Sequence, residues 1–368
     1  MRVVICWTQI SGYMAACWRA LAAREGIELL VVAFRTRGSG NVRFGDEVMA
    51  GVPCQLLGES DAANAAHVKS LVLGHRPDVV VIAGWMHPPY VALASEPQLA
   101  GARFVMGMDT PWRGSLRQRF ARLKIGRYLD RMDKVVVAGE RSWQFARMLK
   151  VPERKIARGV YGIDYATLAP IAAARAARPG GWPKRFLFTG RYEPVKGIDI
   201  LVEAYARYRA SIADPWPLTC CGAGARRELL LGQPGIEDRG FVQPADLPAV
   251  LVEHGAFVIA SRFDPWPLVV VEACAAGLPV ICTEACGSAV EVVRSHYNGL
   301  PVATESADAL AQAFRWMHAR HDLLPEMGRR STALAAPYAA EVWADRWQAL
   351  LAAPASAGTA QRAEDGNA

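Results

Sequence analysis

Arg191 and Lys196 stand five residues apart, between the apolar segment RFLFTG (185–190) and the helical pattern IDILVEAYARYRA that follows Gly197. Two cations on a strand-to-helix loop, beside the N-terminal amides of a helix, make a site for a multiply charged phosphate. Without a ligand, the same loop is simply a solvated basic turn. The segment PLTCCG (217–222) runs into Gly222-Ala223-Gly224, but Arg227 stands where a dinucleotide fingerprint needs its third glycine. That removes most of the support for a Rossmann dehydrogenase and leaves either a phosphate contact or a tight turn. Further on, SRFDPWPLVVVEA (261–273) leaves the run AFVIA, turns through Pro265 and Pro267 and enters LVVVEACAAG. Glu272 is then a lone carboxylate on an otherwise apolar helix. Burying it is costly unless a core cation or a ligand hydroxyl pairs with it. Asp264 either caps that helix or works with Glu272. Were 264–272 helical throughout, the two backbones would lie roughly 12 Å apart. That is too far for a carboxylate dyad and suits two acids holding opposite ends of an extended ligand. Glu291, after Cys286-Gly287-Ser288, fits a first-turn acid.

Such residues need a rigid frame, and the chain alternates β-branched runs with helical patterns. The first half reads as strands at 2–6, 28–34, 78–84, 103–107 and 134–138, with helical patterns near 13–24, 61–75, 115–131 and 140–149. Continuous apolar strands, rather than alternating ones, predict parallel sheets covered on both faces, and the βα alternation predicts a doubly wound α/β domain. Residues 170–184, with three Pro and two Gly, read as a linker. The pattern restarts with strands at 185–190, 217–222, 256–261 and 278–283. The expected organisation is a first domain over 1–168, a second over 169–337, a helix over 338–353 that crosses back to the first, and a disordered tail over 354–368. The ligand cleft should lie between the domains, at the carboxyl ends of the strands. A length of 368 residues with 52% hydrophobic and 21% charged side chains fits two globular domains and excludes a disordered, coiled-coil or collagen-like chain.

In this order, GRYEPVKGIDILVEAY, the strand into GAG, and SRFDPWPLVVVEACAAGLPVI followed by CGSAVEVVRSHYNGLPV resemble a family 4 glycosyltransferase of GT-B architecture across 185–303. VYGIDYATLAP resembles that family's interdomain passage, whereas the first domain resembles the family only loosely. The resemblance implies a retaining transferase acting on a UDP- or GDP-sugar with no essential metal. Arg191 and Lys196 match the cations that neutralise the donor diphosphate. Glu272 matches the acid that holds the donor ribose, and Asp264 stands where an acid faces the transferred sugar. Leu268 and Val269 match positions whose amides meet the diphosphate, and Gly190, Gly222 and Gly224 complete the donor side. Asp264 departs from the family's Glu, being shorter by one carbon–carbon bond of about 1.5 Å. Gly12, His87 and Asp109 are the candidates on the acceptor side, and Asp109 stands in a region, VMGMDTPWRG, where many relatives carry a His. The acceptor class implied is a glycan, a lipid-linked glycan or a small molecule, within surface polysaccharide or glycoconjugate synthesis. A nucleotide-sugar epimerase or phosphorylase of the same fold, or a catalytically silent sugar-nucleotide binder, are the competing readings. The Arg191/Lys196 loop counts against an epimerase.

The net charge of +7 permits an anionic partner without requiring one. It is concentrated in 113–134, which holds eight Lys or Arg and two Asp, with Leu116, Phe120, Leu123, Leu129 and Met132 at helical spacing. This segment either sits on anionic lipid near the acceptor mouth or packs its apolar stripe on the sheet behind a soluble basic face. No recognised nucleic-acid motif accompanies the charge. The eight cysteines contain no C-x-x-C pair and predict buried thiols. MRVVICW reads as a strand rather than a leader, and no apolar run nears the ~20 residues of a membrane span. A cytoplasmic protein is expected, with peripheral contact to the membrane's inner face as the lipid alternative.

Overall fold

A computed structural model describes residues 1–35 and 45–353, so the tail expected over 354–368 lies outside the described residues. The first sheet contains β1 (Arg2–Trp7), β2 (Glu28–Phe34), β3 (Cys54–Leu57), β4 (Val79–Ala83), β5 (Arg103–Met108), β6 (Lys134–Val137) and β7 (Ile156–Arg158). They pair in parallel in the order β3-β2-β1-β4-β5-β6-β7. The second contains β8 (Phe186–Thr189), β9 (Leu218–Cys221), β10 (Ile236–Gly240), β11 (Ala256–Ile259), β12 (Val280–Thr283) and β13 (Gly299–Val302). Its order is β10-β9-β8-β11-β12-β13, again parallel. The expected pair of doubly wound domains is what the chain forms. In each sheet the strand order reverses direction beside the domain's first strand, between β1 and β4 and between β8 and β11. The loops leaving β1 and β8 therefore open at the two switch points, where such sheets receive ligands.

Two stretches of chain pass side by side between the domains. Ile163 N donates to Tyr338 O at 2.8 Å and Ala340 N to Ile163 O at 2.9 Å. Beyond this crossing the helix Ala340–Ala352 packs on the first domain's helix Gly12–Ala22. Trp343 and Trp347 stack at 5.0 Å and are both buried. Their indole N–H groups donate to Val160 O (3.1 Å) and Gly159 O (3.0 Å), which satisfies the one polar atom each ring carries. Arg24 pairs with both Glu341 and Asp345 at 2.8 Å.

The segment read as a linker is partly helical: Pro170–Ala176 forms a helix against the second domain. Its only large buried apolar side chain is Ile171, so no apolar stripe marks it. The attachment is instead Arg175, fully buried, whose guanidinium donates to Ala276 O (2.6 Å), Gly277 O (3.1 Å) and Leu251 O (2.7 Å). These carbonyls end two neighbouring helices, where a cation is favoured by the unpaired C=O groups.

Candidate functional site

A cleft of about 850 Å³ lies between the domains and takes its walls from both. On the second domain, β8 ends in Gly190 and Arg191, a short turn Pro194–Lys196 follows, and the helix Ile198–Ala210 begins after Gly197. Gly197 has φ +66°, and a Cβ there would lie 2.1 Å from Ala260 O, so only glycine lets the turn close against β11's exit. Arg191 is exposed on the cleft wall and has no ion pair among the described residues. Lys196 is more enclosed, and its ammonium donates to the Asp264 carboxylate.

The Lys196 turn is held from behind by Arg262. Its guanidinium makes a bidentate pair with Asp199 (2.7 Å to each oxygen) and donates to Glu305 (2.6 Å) and to Pro194 O (2.8 Å). Arg262 N also donates to Val195 O at 2.8 Å. Arg262→Ala should therefore loosen the turn without removing any cleft charge. The expected result is a kcat reduced roughly 10–100-fold by misplacement of Lys196, with a smaller change in KM. Arg262→Lys should recover little of it, because a point charge cannot replace the bidentate fork. Steady-state kinetics of the two variants would show a role other than positioning if KM alone rose.

The segment after β11 brings both acids to the cleft. Asp264 is nearly buried, and its main chain is pinned where Gly287 N donates to Asp264 O at 2.9 Å. The helix begins only at Leu268, after Pro267, so Asp264 is not its cap and the spacing of eight helical residues does not apply. Leu268 and Val269 line the cleft at the start of this helix, and their first-turn N–H groups have no acceptor among the described residues. One turn on, Glu272 also faces the cleft, and no hydrogen bond or ion pair reaches its carboxylate among the described residues. Burial, with repulsion from Asp164 added, raises its pKa from the ordinary 4.5 to about 7. The core-ion-pair alternative has no cation to serve it.

The three glycines differ. Gly190 and Gly222 line the cleft, and a Cβ on Gly222 would fall 1.9 Å from Gly190 O. Gly224 sits behind the wall, where a Cβ would meet Tyr192's main chain at 2.6 Å, so it builds the turn. On the first domain, Gly12 opens the helix Gly12–Ala22 in the lining, and a Cβ there would come within 3.2 Å of Pro244 in the opposite domain. Asp109 lies instead in an adjoining cavity of about 200 Å³ together with Trp7, Trp85 and Tyr161. It accepts a hydrogen bond from Tyr161 at 2.9 Å. Burial raises its pKa, the Tyr161 bond lowers it in part, and Asp264 raises it further. His87 lines neither cavity; its ring packs 4.5 Å from Phe34 and 4.6 Å from Tyr90.

Several lining residues carried no signal in the sequence. Tyr13, pushed up to about 12 chiefly by burial, faces Glu272, Asp109 and Asp264. Asp164 comes from the crossing segment, and residues 241–248 after β10 supply much of one wall. A recognisable strand before 241 would have pointed to that loop; β10 reads IEDRG and offers none.

Residues 183–320 match the model for glycosyl transferases group 1, and residues 10–162 match that for the glycosyl transferase 4-like domain. Among curated proteins, the glycogen synthase of Mycobacterium tuberculosis is 32% identical over 161 residues, 42% of this chain and 37% of that protein. The D-inositol 3-phosphate glycosyltransferase of Salinispora tropica is 31% identical over 194 residues, 46% of this chain and 39% of that protein. The matches thus span less than half of these relatives. Anabaena Alr3699/HepE, solved in complex with UDP, superposes with a TM-score of 0.72 over 95% of this chain and 99% of that one, at 16% identity. The chain belongs to the family 4-like glycosyltransferases and has their GT-B architecture.

Proposed function

We propose that the protein moves a hexosyl group from a nucleoside-diphosphate sugar to an acceptor hydroxyl, with retention at the anomeric carbon and no metal requirement. The observation that carries this is the convergence, on one cleft, of Arg191, Lys196, the Leu268 and Val269 amides and the unpaired carboxylate of Glu272. The cations and amides take the diphosphate, Glu272 accepts from the ribose hydroxyls, and Asp264 meets the sugar. As the bond between the anomeric carbon and the phosphate oxygen breaks, charge grows on that oxygen. Fixed cations in a partly desolvated cleft stabilise it without reorganising. The acceptor hydroxyl forms the new bond on the same face and gives its proton to the leaving phosphate. UDP is the favoured nucleotide, since HepE, of the same fold, is solved with UDP and with UDP-glucose. The reading includes a role in polysaccharide or glycoconjugate synthesis in the cytoplasm, as the family resemblance implies.

Thermal shift with a panel of UDP- and GDP-sugars tests the donor. A ligand at about 100 times its Kd stabilises by about 2.7 kcal/mol, which a melting curve reads easily. A true donor should also be hydrolysed slowly with no acceptor present, should yield first the anomer of unchanged configuration, and should turn over equally in EDTA. No shift with any nucleotide sugar would sink the reading. Activity lost in EDTA and restored by Mg²⁺ would remove the metal-free part.

A further inference from the structure

We propose that the helical segment around Leu116, Phe120 and Leu123 docks the protein on an anionic lipid bilayer. The segment forms two helices, Leu116–Arg119 and Ala121–Arg131, joined at Phe120. The apolar stripe that sequence spacing would place on the sheet is divided between two faces. Leu129 and Met132 are buried beside the sheet, whereas Leu116, Phe120 and Leu123 are 71%, 62% and 85% exposed. The three follow one another along the chain across the joint at Phe120, a row of large apolar side chains with no cover among the described residues. Large apolar side chains left exposed together in one short segment mark an interaction surface.

The charges around the row select the partner. Arg117, Arg119, Lys124 and Arg127 are exposed and have no ion pair among the described residues. Arg122 is paired with Asp130 at 2.5 Å, and Arg113 lies 4.3 Å over the Phe263 ring, so those two are committed elsewhere. A second copy of this chain, meeting the face about a two-fold axis, would set these cations against their own kind. A nucleic acid would satisfy the cations and leave Leu116 and Leu123 without a partner. Acidic headgroups above an acyl boundary satisfy both, with the apolar row inserted and the cations among the phosphates.

The placement also bears on the acceptor, and this part rests on the transferase reading above. Tyr128, on the same helix, donates to Gly84 O at 2.9 Å and so holds the loop after β4. That loop carries Trp85 and Met86, the latter 74% exposed, and both line the Asp109 cavity. A bilayer bound at the row would lie beside the mouth of that cavity, which fits an acceptor carried on a lipid with its polar head entering toward Asp109.

Co-sedimentation of the full chain with phosphatidylcholine vesicles, with and without phosphatidylglycerol, tests the docking. Binding is expected only to the anionic vesicles, strongest at low salt, because the Debye length contracts from about 30 Å at 0.01 M to about 8 Å at 0.15 M. Leu116→Ser/Phe120→Ser/Leu123→Ser and Arg117→Gln/Arg119→Gln/Lys124→Gln/Arg127→Gln should each weaken it roughly 30-fold or more. Both variants should keep the parent's melting temperature and donor-induced thermal shift, so that a failure of docking and a failure of the donor reading are told apart. Four results would overturn the proposal: no sedimentation with anionic vesicles at low salt, parental binding by either variant, equal binding to a DNA duplex, or a dimer abolished by the triple change.

Discussion

Lys196→Ala is expected to lower kcat about 10²–10³-fold with a much smaller loss of donor affinity, because the charge it meets on the leaving oxygen develops in the transition state. The structure adds a second consequence. Lys196 and Asp264 are paired, with only 13% and 10% of their side chains exposed. Removing one leaves the other largely desolvated and uncompensated, and breaking a buried pair costs about 3–5 kcal/mol. In Lys196→Ala the remaining carboxylate would also face the diphosphate of the proposed donor and repel it. The double variant Lys196→Ala/Asp264→Asn should therefore melt above Lys196→Ala and bind donor more tightly, while remaining as slow. Arg191→Ala, on the solvated wall, should cost only about 10-fold in kcat. Its combination with Lys196→Ala should be less than additive, since both serve one phosphate group. Single-turnover rates and donor affinities for these variants decide the matter, and unchanged kinetics in Lys196→Ala would reduce the loop to a basic turn.

What the sequence showed of the fold, and what it hid, follows from where each strand sits. The nine strands recognised from apolar runs, β1, β2, β4, β5, β6, β8, β9, β11 and β12, are the interior strands of the two sheets. Each has a neighbour on both sides and helices on both faces, so its side chains are almost all apolar. The four that were missed, β3, β7, β10 and β13, are the four edges. In IEDRG of β10 Glu237 is exposed and the other four residues are half-buried, and IAR of β7 has none fully buried, so neither carries the apolar signal.

The same logic separates the site residues. Arg191, Lys196, Asp264 and Glu272 follow directly from interior strands or sit on the helix after one, and their types are incongruous there, which made them legible. Tyr13 and Asp164 reach the cleft from the first domain and from the crossing, positions fixed only when the two domains meet. Gly224 and His87 show the converse. Each sits in a stretch that suggests chemistry, but the turn packs Gly224 behind the wall against Tyr192, and Phe34 and Tyr90 hold the His87 ring outside both cavities.

Glu272→Gln should make the protein more stable at alkaline pH and a poorer enzyme. The carboxyl titrates near pH 7 in the fold and near 4.5 in the unfolded chain, because burial and Asp164 oppose its ionised form. Between those values the folded state holds the extra proton, so stability falls as pH rises from about 4.5 to 7 and the whole penalty is present above that. With the side chain partly solvated, the penalty is on the order of 2–3 kcal/mol. The amide carries no charge, so the variant should match the parent at pH 5 and melt several degrees higher at pH 8. Function should move the other way. In the proposed donor complex the ionised carboxylate is the form that would accept two ribose hydroxyls, and losing charge-assisted bonds of about 1.5–3 kcal/mol should weaken donor binding roughly 10–150-fold. Parental kcat/KM should rise with pH through an apparent pKa near 7, a limb that Glu272→Gln should lack. A structural carboxylate would give the opposite pairing, a variant that melts lower at pH 8 and binds UDP-sugar as the parent does. Thermal melts at pH 5 and pH 8, with and without donor, separate the two. An unpaired acid kept at a stability cost is explained by a ligand that supplies its missing partners.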